Sequence, residues 1–446
     1  MDAPKYPRVL ILGESFDQRS GGGITLTNLF RDWPSESLAA AAEDLGSVDW
    51  DTCGSYYSLG SDESRYRWPL SVMQRSVASG AVAQSRESDQ GSGLVGAPSK
   101  NRARPAFVRD FVRMGLRLTA ADDRFRLLQP SDGFWRWAES FRPDVVYSQL
   151  SAMRLMNFVG AVVGRLETPL VIHIMDDWPS TIYHGAVGGG SLRAAADSVF
   201  AGLVTDSAGA LAISPLMAAD YGMRYGRPFR AFHNPVDLGQ WRRHAKIDWS
   251  VGEPFTILYA GRVGRGNADA VAEVARAVGR LRGLGRNISF ALHTQDADEA
   301  RVRRIGRLDG VQVGRADLPY RDVPALLSGA DALVLPQDFE GDGLRFTHLS
   351  MPTKVPEYMA SGAPMLVYAP RGSAVAEYAR ASQFGLLVDC ADFGSLESAL
   401  ERLMDEPQLR ESLAKKAMKV SEEHDAVVVR ERFRLAIQEA ADAAVG

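Results

Sequence analysis

The chain has 446 residues, too many for one compact core and suited to two domains. Its hydrophobic share of 46% and charged share of 24% are ordinary for a globular protein, and a net charge of -4 gives no reason to expect a nucleic-acid partner. Cys53 and Cys390 lie far apart without metal-ligand spacing, which argues against a disulfide framework or a zinc site and for a reduced, cytoplasmic setting.

The opening MDAPKYPRVLILGE lacks the pattern of a signal peptide, and no run of about eighteen apolar residues follows that would span a membrane. Residues 8–14 are predicted as a short buried strand, followed by Gly21, Gly22 and Gly23 and then a helical stretch beginning near Ile24. Gly22 and Gly23 would let a diphosphate or sugar approach the backbone, although a tight turn alone also calls for glycine. Residues 84–104 are rich in Ser, Gly and Arg with little to bury, and are predicted as a flexible insertion. In residues 102–126, Arg102, Arg104, Arg109, Arg113 and Arg117 interleave with Phe107, Val108, Phe111, Val112, Leu116 and Leu118. On a helix this sets a basic strip beside an apolar one. It reads either as a sheet-packed helix with solvated arginines or as a peripheral contact with an anionic membrane.

Apolar runs at 143–150, 169–177 and 208–214 alternate with helical segments, which predicts a parallel sheet covered on both faces. Asn-Pro and Gly punctuate residues 232–241, and the domain boundary is placed there. A second series of strands follows at 255–262, 288–294, 311–314, 332–336, 364–370 and 385–389, with a helix over 269–284. The expected fold is α/β, with two Rossmann-like domains of parallel strands facing a cleft. Their bounds are 1–235 and 236–425, with a C-terminal helix over 426–446 returning to the first domain.

Ligands in such sheets bind at the carboxyl ends of the strands. There, residues 259–267 carry Arg262 and Arg265, whose forked, permanently charged guanidinium groups suit a diphosphate, or are simply solvated. Within 349–370, Ser350, Pro352, Thr353 and Lys354 are predicted to open a helix that stops at Gly362. Its first N–H groups with Lys354 would cradle phosphate, and Glu357 one turn on would accept both ribose hydroxyls. Alternatively Glu357 and Lys354 are partners on one helix face.

These residues resemble the retaining glycosyltransferases of family four, a GT-B group. Asn234-Pro235-Val236-Asp237 is similar to the family's Asn-Gly-Val-Asp linker, and Ser214-Pro215-Leu216-Met217 to its Ser-x-x-Met helix start. Tyr259 to Arg262 resembles its Gly-Arg phosphate motif, and Pro364 the proline after its donor-binding helix. Glu357 matches the second glutamate of the family signature, but Leu349 stands where the first is expected. Glu340-Gly341-Asp342-Gly343 resembles the start of that signature, displaced by nine residues. Family members often place a histidine beside the acceptor at the end of an N-domain strand. Here His173 lies inside the strand, and Asp176, Asp177 and Trp178 occupy the loop, as acceptor contacts or as a helix cap and a packing ring.

The resemblance implies transfer of a sugar from a nucleotide-diphosphate donor, UDP by family frequency, to a hydroxyl of a saccharide or lipid-linked saccharide with retention. Arg262, Arg265, Asp176 and Glu340 would be catalytic. Gly22, Gly23, Ser350, Thr353, Lys354 and Glu357 would join the two arginines in holding the donor. No metal or other cofactor is expected. A nucleotide-sugar epimerase on the same fold and a non-catalytic partner subunit remain the alternatives.

Overall fold

The computed structural model describes residues 6–16, 21–46, 48–68, 70–74, 76–84, 124–295, 299–315 and 319–443. Short runs buried on both faces assemble into two largely parallel sheets. The first contains β1 (Val9–Leu12), β2 (Leu38–Ala42), β3 (Ser55–Ser58), β5 (Gly80–Ala81), β7 (Val145–Ser148), β8 (Leu170–Ile174), β9 (Gly209–Ala212) and β10 (Arg230–Ala231). Its order is β10-β9-β8-β7-β1-β2-β3-β5, and only β5 runs antiparallel. β4 (Ser64–Tyr66) and β6 (Arg126–Leu128) form a separate antiparallel pair. The second sheet is wholly parallel, in the order β13-β12-β11-β14-β15-β16. It comprises β11 (Phe255–Ala260), β12 (Ile288–Thr294), β13 (Val311–Arg315), β14 (Ala332–Pro336), β15 (Met365–Tyr368) and β16 (Leu386–Val388).

Strand order reverses between β1 and β7 in the first sheet and between β11 and β14 in the second. The crevices that such reversals open at the strands' carboxyl ends are where ligands of this architecture bind. Helices connect and cover the strands, among them α1 (Gly21–Phe30), α2 (Pro215–Tyr225), α3 (Ala268–Gly283), α4 (Gly341–Thr347), α5 (Val355–Ala360) and α6 (Ala426–Asp442). α2 starts as expected, with the Ser214 hydroxyl accepting from the Met217 N–H at 3.0 Å.

Three local features differ from expectation. Gly21–Gly23 are not a loop before a helix but the first turn of α1 itself. The glycine demanded by the turn is Gly13, at φ +95°, where a Cβ would stand 2.3 Å from Leu155 Cδ2. β2, the run LAAAA, shows neither strand-forming side chains nor alternation, and is a strand because both its faces are covered: all five residues are buried. The helix predicted to open at Ser350 begins at Val355, with Lys354 at the N-cap position and no side-chain cap.

α6 packs on α1 and on the first sheet. Phe433 meets Phe30 at 5.0 Å and Phe232 at 5.5 Å between ring centroids, and Ile437 and Ala440 are buried beside it. The chain therefore passes between the two halves twice. The passages are stitched together by Val236 N–H donating to His424 O and Ala426 N–H to Val236 O, each at 2.9 Å.

Residues 85–123 lie outside the described residues, and with them most of the predicted insertion and of the basic segment 102–126. At the described end of that segment Arg124 donates to Val187 O at 2.9 Å and Arg126 belongs to β6. Among the described residues no helix is long and apolar enough to cross a membrane. Cys53 is buried, Cys390 is exposed, and both are free thiols.

Candidate active site

β11 ends in Tyr259-Ala260 and turns through Gly261-Arg262, and this corner is built around Lys354. The ammonium donates to Ala260 O at 3.0 Å and lies 4.0 Å from the centre of the Tyr259 ring. Such close approach requires Gly261, whose φ is +147° and where a Cβ would fall 2.1 Å from Lys354 Nζ. The Tyr259 hydroxyl donates to Arg262 O at 2.6 Å, and Asn267 Nδ2 donates to the same carbonyl at 2.9 Å, which fixes the loop. The Tyr358 hydroxyl accepts from Ala260 N–H at 2.8 Å and ties α5 to β11.

Between this corner and α1 opens a cavity of about 450 Å³. Lys354, Glu357, Arg262 and Gly261 line it from the second half, and Asn28 and Arg31 of α1 from the first. Arg262 is exposed, and its guanidinium makes no ion pair with a described residue. Glu357 accepts from the Tyr320 hydroxyl at 2.9 Å. Burial raises the Glu357 carboxyl to about 7 against the pull of Tyr320 and Lys354, and lowers the Lys354 ammonium to about 7 against the pull of Glu357. Asn28 Nδ2 donates to Asn234 Oδ1, and Asn234 Nδ2 donates to Thr353 O, both at 3.0 Å. This chain links α1, the linker and the loop before α5.

A smaller hollow of about 210 Å³ adjoins the cavity, sharing Pro352 and Thr353 with it. Gly22 and Thr25 of α1, Met175 and Asp176 after β8, Ile213 after β9 and Gln337 after β14 also line it. Asp176 spans the two halves, accepting from the Ser350 hydroxyl at 3.2 Å. The surrounding protein raises its carboxyl above the ordinary range, and that hydrogen bond opposes the shift.

The structure thus gathers Arg262, Lys354, Glu357 and Thr353 around the cavity and Gly22, Asp176, Ser350 and Thr353 around the hollow. It does not bring the other candidates there. Gly23 is buried in the first turn of α1, and Arg265 is exposed on its loop; neither lines either space. Glu340 is exposed at the N-terminus of α4 and lines neither space, because Gly341 starts a helix that leads the chain away before it returns at Ser350. Asp177 is buried and accepts from Tyr221 Oη at 2.7 Å and Ser180 Oγ at 3.0 Å, a brace between α2 and the loop. Trp178 packs edge-on against Phe200 at 5.2 Å instead of facing a ligand. His173 is fully buried and bonded to the Tyr147 hydroxyl at 2.7 Å, and burial lowers it to about 3. Ser350 does not cap a helix, since its hydroxyl serves Asp176. Because α5 is only six residues long, the phosphate-cradle reading moves from helix N–H groups to the Lys354 ammonium.

Sequence reasoning missed Tyr320, Asn28 and Gln337. Only Gln337 had a usable signal, a polar side chain directly after an apolar strand at a point of strand reversal.

Two family models match the sequence: a glycosyl transferase 4-like domain over residues 73–234 and glycosyl transferases group 1 over residues 254–406. No curated protein matches it. Among solved structures it is similar to HepE of Anabaena in complex with UDP and glucose, at 11% identity and TM-score 0.58, covering 97% of this chain and 100% of that one. Sucrose-phosphate synthase of Thermosynechococcus elongatus aligns at 13% identity and TM-score 0.62, covering 98% and 100%. A UDP-forming α,α-trehalose-phosphate synthase of Burkholderia xenovorans, in complex with glucose-6-phosphate, aligns at 13% identity and TM-score 0.55, covering 96% and 99%. These likenesses give the fold, two Rossmann-like sheets across a cleft, and the matched models give the family: the chain belongs to the GT-B glycosyltransferases of the glycosyl transferases group 1 kind.

Proposed function

We propose that the protein transfers a sugar from a UDP-sugar to an acceptor hydroxyl with retention of configuration, in the synthesis of a glycan or glycoconjugate. The observation that carries this reading is the 450 Å³ cavity, which sets a carboxylate, an ammonium and a guanidinium around one space. Glu357 suits the ribose hydroxyls, while Lys354 and Arg262 suit the diphosphate. HepE, of the same fold, has been crystallised with UDP and with UDP-glucose.

In this reading charge grows on the departing diphosphate, and Arg262 and Lys354 stabilise it more in the transition state than in the ground state. The acceptor hydroxyl attacks from the face the diphosphate leaves, and its proton passes to the leaving phosphate oxygen. Asp176 holds sugar or acceptor hydroxyls in the adjoining hollow. The two side-chain cations take the role of a leaving-group stabiliser, so the reaction as proposed uses no cofactor. Residues 102–126 are read as the contact with a membrane-held acceptor, such as a lipid-linked saccharide, at the cytoplasmic face. Salt-sensitive co-sedimentation with anionic liposomes is expected, and its absence turns the acceptor reading toward soluble saccharides.

Isothermal calorimetry with UDP tests the nucleotide assignment. Wild-type protein is expected to bind UDP, and Glu357→Ala to lose about 1.5–3 kcal/mol of affinity, the worth of hydrogen bonds to a charged group. A folded variant with unchanged UDP affinity removes Glu357 from the site.

A further inference from the structure

The hollow holds a buried polar atom that the described protein leaves unsatisfied. Gln337 directly follows β14, is 3% exposed, and is fixed by its backbone N–H donating to Tyr368 O at 2.8 Å. Its side-chain Oε1 is buried and has no hydrogen-bond partner among the described residues. A buried carbonyl oxygen without a donor is costly, and native structures rarely tolerate one that nothing fills. Gln337 lines the hollow, so a donor entering that space can reach it.

The rest of the lining says what kind of donor. Thr25, Thr347, Ser350 and Thr353 contribute hydroxyls, while Met175, Ile213 and Met351 contribute an apolar wall. Asp176 is the one charged residue of the lining, which contains no lysine, arginine or histidine. The space therefore offers acceptors and apolar surface but no counter-ion for a negative group.

Building on the nucleotide-sugar reading above, we propose that the hollow receives an uncharged sugar and that Gln337 is a specificity-determining residue, accepting a hydrogen bond from one sugar hydroxyl. The ring's C–H face then lies along the methionines, and Asp176 accepts from a second hydroxyl. A sugar bearing a carboxylate would bring a second negative charge beside Asp176 with no cation to offset its desolvation, and is rejected.

The test compares UDP, UDP-glucose, UDP-galactose, UDP-N-acetylglucosamine and UDP-glucuronic acid by calorimetry on the full chain, with wild-type protein, Gln337→Leu and Gln337→Asn. At least one uncharged UDP-sugar is expected to bind wild type well, and UDP-glucuronic acid more weakly than UDP. Gln337→Leu keeps the bulk and removes the acceptor, so it is expected to lower affinity for the preferred UDP-sugar by roughly tenfold, the worth of one hydrogen bond, with UDP affinity unchanged. Gln337→Asn, which withdraws the amide by one methylene, is expected to fall between. UDP binding reports folding of each variant. An unchanged ratio of UDP-sugar to UDP affinity in both variants assigns the oxygen to a bound water and overturns the proposal, as does UDP-glucuronic acid binding as well as UDP-glucose. Failure of wild type to bind UDP at all overturns the nucleotide reading itself, a separate outcome.

Discussion

Lys354 and Glu357 sit one helical turn apart, and burial carries each toward neutrality at about 7. Above pH 7 the ammonium is largely deprotonated and the carboxylate ionised, so an arriving diphosphate restores the charge on Lys354 and binding takes up a proton. Below pH 7 Lys354 is already charged and Glu357 is protonated, so ribose hydroxyls donating to Glu357 favour its ionised form and binding releases a proton. The buffer dependence of the UDP-glucose binding enthalpy is expected to reverse sign near pH 7, and Lys354→Met to abolish the uptake arm. One sign throughout pH 6–8 contradicts this coupling. Arg262 is exposed and makes no ion pair with a described residue, so its interaction is expected to strengthen mainly as the diphosphate leaves. Arg262→Ala is expected to cut turnover by about a hundredfold with a smaller change in donor affinity. Loss of affinity alone reassigns it to ground-state binding. At this scale the sequence disclosed residue types and their order but not their partners. Ser350 read as a helix cap and Asp177 as a ligand contact or a helix cap, because the groups that claim them, Asp176 and Tyr221, lie 174 and 44 residues away.

Among elements, the loop from β11 to α3 and the segment leading into α5 form one working unit. Gly261 yields the space that Lys354 fills, and Tyr358 bonds the last residue of the strand. Gly261→Ala strains the backbone by about 1–3 kcal/mol and displaces the ammonium. Its expected result is a tenfold or greater loss of UDP-glucose affinity, and combination with Lys354→Met is expected to add little, since both remove the same contact. Additive losses show that Gly261 acts independently of Lys354. The strands that sequence located, such as β8 and β11, have apolar β-branched runs bounded by turn residues. β2 escaped because alanine carries no strand signal of its own and its burial comes from the cores on its two faces, Ala39 and Ala41 in one and Leu38 and Ala40 in the other. The start of α5 shifted for a related reason: Asn234 takes the Thr353 carbonyl and Asp176 the Ser350 hydroxyl, so contacts across the cleft shape a stretch that local rules read as a helix.

Across the whole molecule, the second sheet and its helices are an insertion between the first 231 residues and α6, held at both ends by the Val236 and Ala426 hydrogen bonds. The first core is completed only by the last helix, where Phe433 is fully buried against Phe30 and Phe232. Phe433→Ala is expected to destabilise that half by about 3–5 kcal/mol, measured by denaturant unfolding followed through a probe in each half. A coincident, unchanged transition in both halves contradicts the assignment. The Asn-Pro-Val-Asp linker made the first passage between halves visible in the sequence, since Pro235 punctuates it and Gly239 follows; the second, at residues 424–426, has no such punctuation. The double passage also bears on how the protein is made. As the chain leaves the ribosome, the first sheet emerges with the side facing Phe433 uncovered, while the second half is still being translated and can fold as soon as its own strands are out. The half begun first is thus finished last. Until the final seventeen-residue helix arrives, an apolar surface around Phe30 and Tyr147 stays open to chaperones or to aggregation.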